Sequence, residues 1–403
     1  MIMKKKIQLL FFGAIILAGC HKEELTNLPN QGNSNENSNE EILRTIKKLQ
    51  IGEYPIKTNY VLNETLSLDG LVVNVTYSNG SVVSLTSKTL PKEWIKGFSS
   101  EMPSREKEII IQPVGEGEVG HVSFKVDILP LVVQDAEIVK LVESDFKNLT
   151  IPEGIKSIKN EAFGGDKTLE EIILPSTLEK LGTYTFYASN LKKVDFRNTI
   201  LNELPSGTFE SCLFLTDVIL PKTLRKIGGN AFYGTARLNK IEIPEGVEEI
   251  GNTAFSTSAL TAIKLPNTIR TIRRSFYKCT SLTKVTTYGD DYVGNDTEGS
   301  ILGESFQFCP NLEVLQIPGG VRKIGTSVLG ECKVKDLTIP ANVERIEFNA
   351  FGNASSLQDI KLLGNKKKKI EDNAFPSKLM EELLKKNDLL GRKDKKELRK
   401  GQF

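Results

Sequence analysis

Along the C-terminal two-thirds of the chain the apolar residues keep a fixed register. An aliphatic residue followed by Pro recurs at Ile151-Pro152, Leu174-Pro175, Leu220-Pro221, Ile243-Pro244, Leu265-Pro266, Ile317-Pro318 and Ile339-Pro340, mostly 22 or 23 residues apart. Pro175 and Pro221 lie 46 residues apart, two repeats of 23, with Phe196-Arg197 in the place of the missing pair. Each unit also sets an aliphatic residue five positions before a Phe or its substitute, as in Ile158/Phe163, Leu181/Phe186, Leu204/Phe209, Ile227/Phe232, Ile250/Phe255, Ile301/Phe306, Ile324/Leu329, Ile346/Phe351 and Ile370/Phe375. A tenth unit, Ile272/Phe276, is one residue short. After the Phe comes Leu-x-x-Ile-x-Leu, seen in Leu169/Ile172/Leu174, Leu238/Ile241/Ile243 and Leu312/Leu315/Ile317. A coil of this length cannot close its own core, so its inward residues must stack on those of the next coil. Each such residue contributes about 1.5–3 kcal/mol by leaving water. Pro ends each short strand because it has no N–H for the ladder. At about 4.8 Å per coil, ten coils span roughly 48 Å.

Upstream the period changes to two. Residues 42–133 alternate apolar and polar positions, as in Leu71-Val72-Val73-Asn74-Val75-Thr76-Tyr77 and Val122-Ser123-Phe124-Lys125-Val126, which predicts a small all-β sandwich. Asn79-Gly80 predicts a tight hairpin with positive φ angles. Trp94 is read as an anchor of that sandwich. Residues 376–403 switch to helical spacing, with Leu379, Leu383 and Leu384 among many Lys and Arg, and predict a helix capping the open end of the repeats.

The first residues read as an export signal, residues 1–19. Lys4, Lys5 and Lys6 precede the apolar run Ile7 to Leu17, which is too short to span a bilayer comfortably. Residues 27–40, rich in Asn, Ser and Glu, cannot offset the entropy of ordering and predict a flexible tether within residues 20–41.

Composition narrows the chemistry. With 53 Lys and Arg against 51 Asp and Glu, a net charge of +2 gives no concentrated basic face for nucleic acid. His21 and His121 are the two histidines, one in the tether and one in the sandwich, so no Ser-His-Asp or Cys-His pair can form in the repeats. Glu170-Glu171 and Glu248-Glu249 are carboxylate pairs at variable repeat positions and read as solvated surface. Cys212, Cys279, Cys309 and Cys332 each lie three residues after the repeat Phe or its substitute Leu329, a slot filled elsewhere by Ser189, Thr235, Ser258 and Ala354. That company marks a small buried packing position, with no disulfide expected. Nothing calls for a catalytic residue, a metal or a cofactor. The longest interval between repeat Phe positions, 30 residues from Phe276 to Phe306, holds an insertion with Tyr288, Asp290, Asp291 and Tyr292. An insertion in a solenoid leaves from one side, often the binding side; its acidic residues do not match an EF-hand loop.

Several of these motifs carry resemblances. The Leu-x-x-Ile-x-Leu strand is the signature of leucine-rich repeats, and the whole unit with its Pro and Asn230-Ala231-Phe232 resembles the BspA-like repeats of bacterial and protist surface proteins, from Phe146 to Phe375. The implied fold is mainly β: a leucine-rich-repeat solenoid of about ten repeats over residues 134–375. Asn63 to Leu71 with Tyr77 to Gly80 resembles bacterial immunoglobulin-like domains, which implies an Ig-like β-sandwich over 42–133. Leu17-Ala18-Gly19-Cys20 resembles a lipobox, implying cleavage before Cys20, a lipid on it and an outer-membrane anchor. His21-Lys22-Glu23-Glu24 is similar to the tract that sends Bacteroidetes lipoproteins to the cell surface.

By the same resemblance the strands form a concave surface, whose outward positions are Ile173, Asp195, Ile219, Glu242, Lys264, Thr286, Gln316, Thr338 and Lys361. None is aromatic, which favours a protein ligand over a sugar. Tyr187, Tyr233 and Tyr277 follow the Phe in alternate coils and read as shields for it. The expectation is a monomeric, non-catalytic adhesion module for host or neighbouring-cell proteins, such as those of the extracellular matrix. A glycan-binding accessory of an outer-membrane uptake system is the second reading, and a surface-layer spacer the third.

Overall fold

The computed structural model describes residues 45–114, 119–288, 301–364 and 367–386. From Thr45 onward the chain clusters as one compact unit.

The period-two region folds as two small sheets over a shared core. Ile46–Glu53, Val72–Tyr77 and Val82–Thr86 form an antiparallel sheet of three strands. Asn59–Tyr60, Val122–Ile128, Ser104–Ile111 and Ile95–Lys96 form the second, of four. Alternation decides which side chains face in: Leu49, Val73, Val75, Ile109, Ile111, Phe124, Val126 and Tyr60 are buried together, with Trp94 packed against them. The hairpin at Asn79-Gly80 differs from expectation. Only Gly80 has a positive φ, at 84°, and its N–H donates to the Tyr77 carbonyl, so the chain turns through an ordinary turn and takes up the twist at Gly80.

Leu131–Gln134, of which all but Gln134 falls within residues 42–133 read as the sandwich, joins the solenoid. It pairs antiparallel with Glu137–Leu141, which in turn pairs parallel with the first coil at Ser157–Ile158. Alternation alone cannot say which sheet a strand joins, and the Asp135-Ala136 turn, both residues at positive φ, lacks the Asn-Gly that would mark a hairpin. The hairpin closes one end of the stack. At the other end the helix Ser377–Lys386 buries Leu379, Met380 and Leu383 against the last coils.

Each coil has three sides. The first carries the Leu-x-x-Ile-x-Leu strands, paired in parallel register so that Leu149, Ile172, Val194 and Val218 align. The second carries strands of two or three residues, and eight of them from Glu203–Leu204 to Lys369–Ile370 form one parallel sheet. The register there aligns Ile272 with Leu302 and Leu302 with Ile324, so Leu302, rather than Ile301, takes the register position of Ile272 and Ile324. Two successive coils are therefore one residue short, not one. Both have Ser before the Phe, and the Ser275 and Ser305 hydroxyls donate to the Ile250 and Ile272 carbonyls of the preceding coil.

The third side is the Phe turn. Phe163, Phe186, Phe209, Phe232, Phe255, Phe276 and Phe306 stack as one buried column with ring centroids 4.9–5.3 Å apart. Offset stacking of this kind adds to the burial itself. Backbone bonds tie coil to coil beside the rings: the Phe232 N–H donates to the Ala254 carbonyl and the Gly234 N–H to the Ser256 carbonyl. To bring these groups into line the residue two before the Phe is left-handed in coil after coil, including Glu161, Thr253 and Asn373 at φ 58°, 56° and 53°.

Candidate functional site

The three sides differ in what they leave for a partner. The second side is satisfied from within: Lys226 pairs with Glu203 and Glu249, Arg270 with Glu248, Lys323 with Glu347, and Arg345 with Glu371. Opposite charges alternate over Glu203, Lys226 and Glu249, whereas Lys323, Arg345 and Lys369 share one register row and are neutralised by Glu347 and Glu371 beside it. Each exposed pair is worth only tenths of a kcal/mol.

On the first side the predicted outward positions line up within three short ladders, except Glu242 and Gln316, which lie outside the strands. Strand register aligns Ile173 with Asp195 and Asp195 with Ile219, then Lys264 with Thr286, and Thr338 with Lys361. Glu242, Lys264, Gln316, Thr338 and Lys361 are exposed, and Asp195 and Thr286 half-buried. Ile173 and Ile219 keep 49% and 41% of their surface in water.

The ladder of this side is broken, which the repeat pattern does not foretell. Ile241–Ile243 forms no strand, so the sheet ending at Asp217–Ile219 does not continue into that beginning at Ala262–Leu265. A second break separates Val314–Leu315 from Asp336–Ile339. Glu242 accordingly sits on an unpaired segment rather than in a strand. An open groove lies at each break. The first, of about 1290 Å³, runs over Ile219, Leu220, Ile241, Glu242 and Ile243, rimmed by Lys193, Arg197, Lys222 and Lys240 on one hand and Asp217 and Glu245 on the other. The second, of about 1220 Å³, is lined by Leu315, Gln316, Ile317, Asp336 and Thr338, with Asn267, Asn342 and Gln358. Where pairing lapses, inward residues such as Ile241 and Leu315 form the groove floors.

Tyr288 joins the two predicted sites. The insertion it opens is also a candidate, but Asp290, Asp291 and Tyr292 lie outside the described residues, as does Cys20. Tyr288 itself lines the first groove, half-buried, with the Lys264 ammonium 3.9 Å from its ring centroid. Its N–H donates to the Leu265 carbonyl, and its own carbonyl accepts from the Asn267 amide. Burial, then the nearby Glu242 and Glu245 carboxylates, push its phenol pKa up, so it meets a partner as a neutral donor. The strand row and the start of the insertion thus share one side.

The cysteines are buried and free, in the expected slot. The thiols of Cys212, Cys279 and Cys309 donate to the Phe186, Phe255 and Phe276 carbonyls of the preceding coil, at 2.9, 3.0 and 3.1 Å. Burial pushes the Cys212 and Cys279 thiols up to about 11 and Cys309 further, the reverse of what a nucleophile needs. Among the described residues no group of three His, Cys, Asp or Glu side chains could hold a metal ion. Glu170 of the Glu170-Glu171 pair is held below the usual carboxylate range by its hydrogen bond to Lys192, so it does not serve as a general acid at neutral pH.

Comparison with known proteins follows the repeat. Residues 141–212, 202–297 and 295–389 match the model of the BspA type leucine rich repeat region, in six copies. No curated protein matches the chain by sequence. Similar solved structures include a leucine-rich repeat protein from Bacteroides ovatus, 23% identical over 56% of this chain and 72% of that one, with a TM-score of 0.42. Another is the Treponema (T. pallidum) leucine rich repeat protein, 20% identical over 44% and 82%, TM-score 0.36. The pneumococcal vaccine antigen PcpA is 15% identical over 85% and 96%, TM-score 0.33.

Proposed function

We propose, from the premise that this chain belongs to the BspA-type leucine-rich repeat proteins, that it is a non-catalytic adhesion module. It takes an extracellular protein, from a host or a neighbouring cell, on the first side of its solenoid. The observation that carries this is the coincidence, on that side, of unpaired segments, apolar groove floors and a seated tyrosine. A partly buried Tyr beside exposed Ile219, ringed by charges of both signs, has the composition of an interface centre with a polar rim. In the same reading Cys20 is the lipid attachment point, residues 20–41 hold the module off an outer membrane, and the two-sheet region is an Ig-like spacer.

The test is surface-plasmon-resonance binding of the chain to a panel of purified extracellular-matrix proteins, beside a glycan array, comparing wild type with Ile219→Asp and Tyr288→Ala. Capture of a matrix protein that weakens about thirtyfold or more in either variant supports the reading. Glycan binding lost in Ile219→Asp, with no protein captured, replaces it by the uptake-accessory reading. For the anchor, protease treatment of intact cells should remove the repeats, and Cys20→Ser should release the chain from the membrane fraction.

A further inference from the structure

The walls of the two first-side grooves meet. Tyr288 lines the first groove, and its chain neighbour Thr287 lines the second. Asn267, also in the second, donates from its side-chain amide to the Tyr288 carbonyl, so the grooves are joined edge to edge at that point. Each holds an exposed aliphatic residue, Ile219 in the first and Val314 in the second, and both leave 41% of their surface in water. Counted along Val218, Ile241, Ile263, Val285 and Leu315, these two sockets lie four coils apart. At about 4.8 Å per coil the separation is about 19 Å.

The polar side chains of the second groove are held by one atom and open at the other. The Thr287 N–H donates to Gln316 Oε1 at 2.9 Å, which fixes that side chain and leaves its NH2 group to donate elsewhere. Asn342 is the converse: its Nδ2 donates to the Gly319 carbonyl at 3.0 Å, and its Oδ1 keeps its capacity to accept. Exposed Thr338 and Gln358 line the same groove. In the first groove the rim charges are unequally engaged. Lys193 pairs with Glu171 and Arg197 with Asp195, whereas Lys222 and Lys240 are exposed and have no ion-pair partner among the described residues. The Glu242 and Glu245 carboxylates lie instead beside the Tyr288 phenol.

We infer that the two grooves are one cleft for an extended peptide segment of the partner, seated by two apolar side chains about six residues apart with a carboxylate beside the first. The inference rests on the protein-binding reading and names the form in which the partner is held. An extended chain rises about 3.3 Å per residue and turns every second side chain to the same face, so six residues cover about 20 Å and bring both anchors onto Ile219 and Val314. Its backbone N–H and C=O groups are unpaired and need both acceptors and donors, which the amides of Gln316, Asn342 and Gln358 supply. A folded domain has already paired most of its backbone within itself and makes no such demand. Lys222 and Lys240 supply the charge that meets the carboxylate.

The test is selection of a random peptide library displayed on phage against the whole chain, followed by fluorescence polarisation of the synthetic consensus peptide. The expected consensus carries two apolar residues about six apart and a carboxylate beside one of them. Ile219→Asp and Val314→Asp should each weaken the peptide about tenfold or more while leaving the melting temperature near that of wild type. Lengthening the peptide by one residue between its anchors, which turns the second to the opposite face, should weaken it similarly. The double variant Lys222→Glu with Lys240→Glu should lose the peptide and regain it when the peptide's carboxylate is exchanged for lysine. No enriched consensus, indifference to anchor spacing, or dependence on Ile219 without Val314 would each overturn the inference. A folded matrix protein captured through Ile219, with no peptide bound, would also overturn it and would leave the protein-binding reading standing. Loss of both kinds of binding would remove the two together.

Discussion

The Lys264 ammonium lies 3.9 Å from the ring centroid of Tyr288 and so fastens the first residue of the insertion to the outward row of the preceding coil. A cation held over an aromatic face at a half-exposed site is worth about 0.5–1 kcal/mol. Lys264→Met keeps the aliphatic stem and removes the charge. It should weaken the protein partner two- to fivefold by loosening the ring, with the melting temperature unchanged; surface plasmon resonance beside a thermal melt reads both.

The Phe column is continuous across seven coils, and its central members carry the largest share of the packing. Phe232→Ala should cost about 3–5 kcal/mol in urea unfolding. Phe232→Leu should cost much less, because Leu329 already occupies the equivalent slot, buried, in another coil.

Thr257 adopts φ 57°, a conformation that crowds the Cβ of a β-branched residue. The equivalent positions after Phe163 and Phe232 are Gly165 and Gly234, also at positive φ. Thr257→Gly should therefore stabilise the fold by about 0.5–1 kcal/mol, the relief of strain exceeding the added freedom of the unfolded chain. A denaturant midpoint that falls in this variant would show that the threonine methyl packs better than its backbone suggests.

The buried thiols set an alkaline limit. Cys212 and Cys279 are raised by burial from 9.0 to about 11 in the fold, so below pH 9 both states hold the proton and stability is complete. Between pH 9 and about 11 the unfolded thiols ionise and the folded ones do not, so stability falls as pH rises. Denaturation at pH 8 and pH 10.5 should show a loss that is smaller in Cys212→Ser, whose hydroxyl does not titrate and fits a slot that Ser189 and Ser258 already occupy. An equal loss in wild type and variant would remove the thiol from the explanation.

The architecture was legible because a solenoid repeats its instructions. Ile158, Ile227 and Ile346 signal the same inward position, and one ambiguous coil is corrected by its neighbours. Where a coil departs from the rule, the sequence offers two equivalent readings, as with Ile301 and Leu302, and only the ladder decides. Leu131 to Val133 fell on the sandwich side of the boundary because the turn that follows, Asp135-Ala136, reaches positive φ without Gly or Asn. The outward row was legible from strand alternation, but the breaks at Ile241–Ile243 and after Leu315 were not, since those coils keep the full apolar pattern and the lapse lies in backbone pairing. Lys368 shows the same limit: nothing in the run of four lysines it belongs to sets it apart, yet its ammonium is buried and donates to the carbonyls of Pro340, Ala341 and Val343.

Site-specific photo-crosslinking tests most directly the claim that the first side is the protein-binding side. A benzophenone side chain replacing Glu242 or Gln316, in the two grooves, should trap the partner protein on illumination, and one replacing Lys226 on the second side should not. Crosslinking from Lys226 with none from Glu242 or Gln316 would contradict the account.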